Sequence, residues 1–571
     1  MPKGHRRILT GIILIGLAIR LGMIWVDFGL LTCGLEVLQD DSVINFVYAR
    51  NISEGKGVTF EPGQPVFGFH PPSVLFLLPF FRLFPGEKII PIQCLLTLYA
   101  FVSLATTLLV YRIVRRAAGD QAALLSGGVW ALGYGVAVYA LCGSDAPVTI
   151  FLMAVAIDYY LRRVQGVAAP PIRSYAMLGV LCGLCIYARM DAALLLPAFG
   201  LDIILSNRRD LFRTGIRKIL VAGTAMALAV ALVSAPFFFW QKHTFGSIQL
   251  HSAATCRGLS AVMGHYVRTL GLSRMLTMMK NSEHGNPLDP VLTELDDQIY
   301  PVWGGLYLFC SAKAVAVLFA KYGDIYLPLA AISCLVLVHA LRQGKGDRLK
   351  RLRAFYLESG IGKLNVVLLY AAMHFSIYVF YQFSYWHLAR YMYPLALAGV
   401  LHLGPAAVWW LNRVLPAVRP RIRLLPGVLA GWLFACFLIF CGQVYANLYK
   451  NRCEGGNGFI QAAEWINRNT PRDAIIGFYQ SGYFGYFLDR DYRDLGGKAT
   501  AEAWDAWFNR REWDYIQKTG LDYILDEDHY LDFLFAWGKM YPIEDRLELV
   551  NQEFGRREGS RILIFKVKKG S

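Results

Sequence analysis

The segment that decides the fold is residues 39–83, which read QDDSVINFVYARNISEGKGVTFEPGQPVFGFHPPSVLFLLPFFRL. It opens with two adjacent carboxylates, Asp40 and Asp41, directly after a long apolar run. Adjacent acids can serve in proton abstraction, because the charge of one raises the pKa of the other. They can equally cap the amphipathic helix that VINFVYARNI predicts. The two roles are compatible, so the segment predicts a polar loop at a bilayer surface with a candidate base at its start.

The chain around this loop is too apolar for a soluble protein. Of its 571 residues, 56% are hydrophobic and 17% are charged, whereas soluble domains carry roughly a quarter charged residues. The hydrophobic residues are gathered into blocks long enough to cross a bilayer, which takes about 20 residues of helix. Four clear blocks are Ile8–Leu31, Ile89–Tyr111, Ile219–Trp240 and Val428–Ala446. The composition therefore predicts a polytopic α-helical membrane protein.

Short basic runs between the apolar blocks predict its orientation. These runs are residues 3–7, 112–116, 162–173, 208–218, 342–353 and 413–423. Placing all of them in the cytoplasm, where Lys and Arg are enriched, predicts about eleven spans, a cytoplasmic N-terminus and an extracytoplasmic C-terminal region. The predicted spans begin near residues 8, 89, 121, 147, 174, 192, 219, 325, 364, 393 and 428. The net charge of +16 is explained by these runs, and no nucleic-acid partner is expected.

The same threading leaves two large extracytoplasmic loops, residues 32–88 and 241–324. Two apolar stretches inside them, 71–81 and 306–320, do not fit the alternation of spans and are predicted to be interfacial or re-entrant. The unusual polar residues of the membrane part fall in these loops and in three short outward tips, so an active site is expected to face outward. Cys182 and Cys185 form a CxxC, but it lies in an apolar span, which favours helix packing over a redox or zinc site.

After the last span the composition becomes that of a soluble domain. AAEWINRN and REWDYIQKTG predict helices, whereas DAIIGFYQ predicts a strand. Further short strands are predicted for DYRDLGG, LDYILDED, RLELVNQEF and SRILIFKVK. Residues 448–571 are therefore predicted to form an extracytoplasmic α/β domain that follows a transmembrane domain of residues 1–447.

Several of these segments resemble one family. The run DDSVINFVYARNISEGKGVTFEPGQPVFGF resembles the first extracytoplasmic loop of the GT-C superfamily of membrane glycosyltransferases, nearest to the bacterial arabinofuranosyltransferase branch. HPPSVLFLLPFF is similar to a segment of the protein-mannosyltransferase and aminoarabinose-transferase branches, with His70 where the arabinosyl branch carries Ser or Thr. Weaker resemblances are CGSDAP at 142–147, YARMDAALLLP at 187–197, YWHLARYMYPLA at 385–396, and the beginning of the soluble domain.

The resemblance implies an inverting transfer of a sugar from a polyprenyl-phosphate donor to an acceptor hydroxyl, in cell-envelope synthesis at a bacterial inner membrane. It implies that Asp40 is the catalytic base and Asp41 its helper. The residues implied in substrate binding are His70, Asp145, Arg189, Asp191, His387, Arg390 and Tyr391. No cofactor and no metal site are expected, since no dense ligand cluster of metal-site spacing is present. The acceptor can be a glycan, a lipid or a protein.

Each implied role has an alternative based on local structure. Arg390 could anchor the end of a span, His387 could be an interfacial hydrogen-bonding residue, and Asp145 could cap a helix. Arg189 and Asp191 could pair with each other.

At the level of the whole protein, the alternative is a transporter or flippase of a lipid-linked substrate. Transporters commonly carry internal repeats with broken spans in corresponding positions. No such repeat is visible in this sequence, and a long acidic first loop with an α/β tail is unexpected for a transporter. The transferase is therefore the favoured prediction.

Overall fold

The computed structural model describes most of the chain in two compact units. The described residues are 3–25, 31–32, 38–61, 63–65, 68–69, 71–167, 169–206, 216–246, 305–341, 348–380, 390–413, isolated positions between 427 and 445, 457–497, 500–540, 542–554 and 561–569. The first unit contains the described residues within 1–26, 96–239 and 309–446, and the second contains those within 27–95, 240–308 and 447–571.

Helices make up the membrane part of the chain. In chain order they are α1 Lys3–Trp25, α2 Asp40–Ser53, α3 Pro71–Leu83, α4 Ile90–Ala118, α5 Asp120–Leu132, α6 Tyr134–Ala140, α7 Ala146–Arg163, α8 Ile172–Ala188, α9 Leu195–Ser206, α10 Ile216–Phe245, α11 Gly305–Lys321, α12 Gly323–Leu341, α13 Arg348–Glu358, α14 Asn365–Phe380 and α15 Tyr393–Arg413. Short 3-10 turns at Met190–Leu194 and Ile361–Leu364 precede α9 and α14.

Five helices in the described part of the chain are long and apolar enough to cross a membrane, and seven spans result if each bent pair counts as one. The bent pairs are α5 with α6, at 53°, and α11 with α12, at 108°. The sharp bend between α11 and α12 agrees with the re-entrant or interfacial prediction for 306–320. Helix α3, at 13 residues, is shorter than the about 20 residues that a span needs. The predicted polytopic helical fold is confirmed, and the count of eleven spans stays a prediction.

Arg20 shows how the first unit accommodates charge inside an apolar bundle. It lies in the second turn from the end of α1 and is 0% exposed. Its Nη1 donates to the carbonyl oxygens of Gly16, at 3.1 Å, and Ala131, at 2.7 Å, and its Nη2 donates to Ser103 Oγ at 3.4 Å. A Cβ on Gly16 would lie 2.9 Å from the Ala131 oxygen, so the glycine lets the two helices approach. Arg20 therefore has the structural partners that a charge at this depth requires.

The C-terminal part of the second unit is a five-stranded mixed sheet with helices around it. Its elements are α16 Gly458–Asn469, β1 Ile475–Phe478, α17 Ser481–Phe487, β2 Asp491–Asp494, α18 Ala501–Phe508, α19 Glu512–Thr519, β3 Tyr523–Glu527, α20 Asp528–Trp537, β4 Leu547–Phe554 and β5 Ile562–Val567. The strand order is β2-β1-β3-β5-β4, with β1 parallel to β2 and β3. Strand β5 is antiparallel to β3 and β4. The five predicted strands and the two predicted helices are all present, so the α/β prediction is confirmed.

The first loop belongs to the same unit as this sheet. Helix α2 packs against α3 and against α17 of the tail. Arg50 of α2 donates to the carbonyl oxygens of Tyr486, at 2.8 Å, and Gly485, at 3.1 Å. Tyr492 of β2 donates to the carbonyl oxygen of Phe60 at 2.8 Å. These contacts join two segments that lie more than 400 residues apart in sequence.

Candidate functional site

The acid pair of the first loop forms the first turn of α2. The helix begins at Asp40, and Gln39 occupies the N-cap position without a capping side-chain hydrogen bond. Carboxylates in the first turn of a helix are favoured by its dipole, but the N-cap position that the sequence allowed for the acid pair is occupied by Gln39. Asp40 and Asp41 are both half-buried.

The tail holds Asp40 directly. The backbone N–H of Tyr483, in α17, donates to Asp40 Oδ1 at 2.9 Å. Gly482 lies against Asp40 so closely that a Cβ on it would be 2.7 Å from the Asp40 carbonyl carbon and from Oδ1. Such a distance is shorter than real Cβ contacts, so residue 482 must be a glycine for this approach.

A second carboxylate, Asp526 at the end of β3, binds the backbone just before α17. Its Oδ2 accepts from the N–H groups of Tyr479, at 3.0 Å, and Gln480, at 2.7 Å. Asp526 is 0% exposed, and burial raises its pKa to about 7, with the nearby charge of Asp40 among the smaller contributions. The sequence did not identify this residue as part of the site, because nothing in LDYILDED marks which acid faces the first loop.

A buried polar network lies in the first unit and contains five of the predicted residues. Arg189, which follows α8, donates from Nε to Asp191 Oδ1 at 3.0 Å and from Nη2 to Asp191 Oδ2 at 2.7 Å. Its Nη1 donates to Asp145 Oδ2 at 3.4 Å. The Arg189 guanidinium also lies over the ring of Tyr391, 5.6 Å from its centroid. Arg390 lies over the same ring at 5.0 Å, and its Nη2 donates to the Tyr391 hydroxyl at 3.2 Å.

Helix α14 contributes three further residues, at a spacing of four. Tyr378 donates its hydroxyl hydrogen to Asp191 and accepts from Arg189 Nη2 at 3.1 Å. His374 Nε2 is 2.8 Å from the Tyr391 carbonyl oxygen, and its Nδ1 is 3.0 Å from the Tyr370 hydroxyl. Because a carbonyl oxygen only accepts, Nε2 carries the hydrogen and Nδ1 accepts from Tyr370.

The sequence predicted a span beginning near residue 364 and singled out none of these three residues. The spacing of Tyr370, His374 and Tyr378 places them on one helix face, which is the signal that could have found them. His70 and His387 lie outside the described residues.

The carboxylates of this network neutralise the charge of Arg189. Arg189 is 6% exposed and shares its donors between two carboxylates, so its charge is already neutralised. The pairing of Arg189 with Asp191, one alternative left by the sequence, is therefore present. Arg390 is 8% exposed, and its contacts include the aromatic ring and the hydroxyl of Tyr391. A second cation is thus placed beside the Arg189 network.

The second unit also contains a polar groove with a cavity volume of about 910 Å³. It lies where the C-terminal half of α2 and the connection from α3 to α4 meet the tail. Most of its lining residues carry hydrogen-bonding groups: Arg50, Asn51, Ser53, Glu54, Lys56, Thr59, Arg82, Glu87, Lys88, Arg472, Asp489, Arg490, Asp491 and Tyr492. Such a lining suits a hydrophilic ligand. Elsewhere in the described part of the chain, no group of three or more His, Cys, Asp or Glu side chains has a metal-binding arrangement.

The sequence matches two family models. Residues 69–240 match the family described as dolichyl-phosphate-mannose-protein mannosyltransferase, and residues 445–565 match a domain of unknown function (DUF8728). No curated protein is significantly similar to the chain in sequence.

Solved structures of GT-C enzymes share the fold. ArnT from Cupriavidus metallidurans is 13% identical in the apo state, with a TM-score of 0.54 over 97% of this chain and 98% of that chain. The same protein bound to undecaprenyl phosphate is 14% identical, with the same score and coverage. The Archaeoglobus fulgidus oligosaccharyltransferase in complex with Zn and sulfate is 13% identical, with a TM-score of 0.51 over 90% of this chain and 67% of that chain. The predicted resemblance to GT-C membrane glycosyltransferases is thereby confirmed, for residues 69–240 by the family match and for the fold by the solved structures.

Proposed function

We propose that this chain is an inverting glycosyltransferase that moves a sugar from a polyprenyl-phosphate donor to an acceptor hydroxyl on the extracytoplasmic side of the membrane. The observation that carries the proposal is the buried network in which Asp145, Arg189, Asp191, Arg390 and Tyr391 converge from three separate sequence segments. Ionisable side chains within a bundle of apolar helices are costly and are usually retained for handling a substrate or an ion. These residues are also the ones that the GT-C resemblance implies in substrate binding.

The proposed reaction assigns one task to each kind of residue. The acceptor oxygen attacks the anomeric carbon, the bond from that carbon to the phosphate oxygen breaks, and the lipid phosphate leaves with the electron pair. The acceptor proton passes to a carboxylate, because an alcohol is a poor nucleophile until its proton is removed. The acid pair Asp40–Asp41 supplies that carboxylate. The negative charge that develops on the leaving phosphate requires a cation.

We assign the phosphate contact to Arg390 rather than to Arg189. Two carboxylates already neutralise Arg189, so an anionic ligand there would meet a net negative cluster. Arg390 lies over the ring of Tyr391, which holds its guanidinium in place through a cation–π contact. A polyprenyl phosphate is the ligand class in the undecaprenyl-phosphate complex of ArnT, whose fold this chain shares, and this supports the same class of donor here.

The polar groove of the second unit is the proposed acceptor subsite. Most of its lining residues carry hydrogen-bond donors or acceptors, which favours a glycan over a lipid acceptor. Arg82 and Arg472 are exposed in this groove. Replacing each with Ala is expected to raise the acceptor KM and to leave donor binding unchanged. An unchanged acceptor KM in both variants would exclude the groove.

The proposed orientation has a separate test. Reporter fusions after Lys450 and within residues 342–353 should report opposite sides of the bacterial inner membrane. If both report the same side, the extracytoplasmic position of the tail is wrong.

The transfer itself is tested with the full-length chain in proteoliposomes and a panel of polyprenyl-phosphate sugars. We expect release of polyprenyl phosphate together with a glycosylated acceptor for one sugar of the panel. Arg390→Gln should lose donor affinity, whereas Glu464→Gln, on an exposed helix of the tail, should not. Movement of the labelled lipid across the bilayer without any sugar transfer would overturn the proposal in favour of a flippase.

A further inference from the structure

We infer that α17 of the tail is a positioning element for the acid pair, that it binds Asp40 as its anchor, and that Asp41 is the carboxylate that takes the acceptor proton. The inference rests on the proposed transferase function and assigns different roles to the two acids of the pair. The sequence comparison implies the opposite order, with Asp40 as the base.

Helix α17 contacts α2 near the N-terminal and the C-terminal end of α2. At the N-terminal end, Tyr483 donates its backbone N–H to Asp40 Oδ1 at 2.9 Å and its hydroxyl to the Leu38 carbonyl oxygen at 2.7 Å. At the other end, Arg50 donates to the carbonyl oxygens of Gly485 and Tyr486. These bonds fix the rotation and the axial position of α2, and therefore the direction in which the side chain of residue 41 leaves the helix.

The close approach of the two helices depends on the absence of a side chain at position 482. An added Cβ would meet the Asp40 backbone as well as its Oδ1. A backbone atom cannot turn aside as the end of a flexible side chain can. Any larger residue at 482 must therefore displace the first turn of α2, with Asp40 and Asp41 in it.

The surroundings of Asp40 suit an anchor better than a base. Its Oδ1 is engaged by Tyr483, and its Oδ2 is buried from solvent. A general base must come within hydrogen-bond reach of the acceptor hydroxyl, at roughly 2.6–3.2 Å, whereas Oδ1 of Asp40 already accepts the Tyr483 N–H and Oδ2 has no access to solvent. In an α-helix the next side chain leaves about 100° further around the axis. Asp41 is therefore directed away from the contact with α17 while remaining fixed by it.

Substitutions separate the two roles in the full-length enzyme. Asp40→Asn keeps an oxygen that can accept from the Tyr483 N–H, so its kcat should fall less than tenfold. Asp40→Ala removes that acceptor and should fall further, which makes rescue by Asn the signature of an anchor. Asp41→Asn should lose roughly 10²–10⁴-fold in kcat, because it cannot accept the proton. The donor dissociation constant should be unchanged in all three.

A glycine substitution tests the positioning element itself. Gly482→Ala should lower kcat at least tenfold with an unchanged donor dissociation constant. Its matched control is Gly223→Ala in α10, the same exchange in a helix where an added Cβ meets no atom within 4 Å. That control should keep the kcat of the unmodified chain. If Gly482→Ala does not fold, as judged by thermal unfolding, the kcat values of the Asp40 and Asp41 variants alone test the inference.

Two failures can be told apart. If the unmodified chain transfers no sugar from any donor of the panel, the proposed function fails and the division of labour fails with it. If the unmodified chain is active, but Asp40→Asn loses more than a hundredfold in kcat while Asp41→Asn keeps turnover, only this inference is overturned. A Gly482→Ala enzyme that is folded and fully active would likewise show that α17 does not position the pair.

Discussion

Replacing Arg189 with Met tests whether the buried network of the first unit is structural or binds a phosphate. Arg189 donates to Asp191 from Nε and Nη2, to Asp145 from Nη1, and to the hydroxyl of Tyr378 from Nη2. It is 6% exposed, so water cannot replace it. Arg189→Met leaves two carboxylates close together without their cation.

The expected loss of stability follows from the number of carboxylates that each substitution leaves without a cation. Removing one partner of a buried ion pair costs about 3–5 kcal/mol, and Arg189→Met is expected at the upper end because it leaves two acids uncompensated. Asp191→Asn is milder, since Arg189 keeps Asp145 at 3.4 Å and loses mainly charged hydrogen bonds worth about 1.5–3 kcal/mol. Adding Asp191→Asn to Arg189→Met should therefore restore part of the lost stability.

The assay is thermal and denaturant unfolding of the full chain in detergent, with donor binding measured in parallel. The control is Glu464→Gln, which removes an ion pair with Arg468 whose side chains are 53% and 75% exposed and which should change stability by less than about 0.5 kcal/mol. If Arg189→Met is as stable as this control but loses donor binding, the structural interpretation is refuted and Arg189 binds the phosphate.

Two further predictions concern the tail and α14. Burial raises the pKa values of Glu61 and Asp526 to about 7 and of Glu512 to about 8. In the unfolded chain these carboxyl groups have their ordinary pKa values of about 4. Between about pH 4 and these raised pKa values the folded chain therefore binds more protons than the unfolded chain. Stability should then fall as the pH rises from 5 to 8, and Glu512→Gln should reduce that fall in unfolding temperature, whereas an unchanged slope would contradict the burial argument. Tyr378→Phe keeps the ring but removes the hydroxyl that donates to Asp191, and it should destabilise the chain by about 1–3 kcal/mol in the same unfolding assay; a silent variant would show that the hydroxyl contributes nothing.

The sequence predicted the helices and strands well because long apolar blocks and alternating strands are local signals. The predicted span beginnings near residues 89, 147 and 393 agree with helices that begin at Ile90, Ala146 and Tyr393. Helix α17 was not predicted, since SGYFGYF contains two glycines, which are poor helix formers. Its stability comes from tertiary contacts with α2, which no local pattern can reveal.

The site was predicted in part for the same reason. Asp145, Arg189 and Arg390 were found individually, because each is a polar residue at the end of an apolar block. The contact of Asp145 with Arg189, and of both arginines with the ring of Tyr391, depends on how distant helices pack, which spacing along the chain does not encode. Tyr378 and His374 lie inside an apolar helix. Apart from their spacing, nothing in the local sequence distinguishes them from residues of the apolar core. The backbone group that binds Asp40 belongs to Tyr483, a tail residue more than 400 residues away in sequence.

The motif of the first loop has a second use that its resemblance to GT-C enzymes does not reveal. Glu61, in the FEPGQP turn, accepts the backbone N–H of Asp494 at 2.6 Å and the hydroxyl of Thr500. Asn51 donates to the carbonyl oxygens of Thr59 and Phe60, at 2.9 and 3.2 Å, which holds that turn against the end of α2. These residues bind the tail or shape the loop for it. These parts of the motif therefore specify how the first loop docks on the sheet.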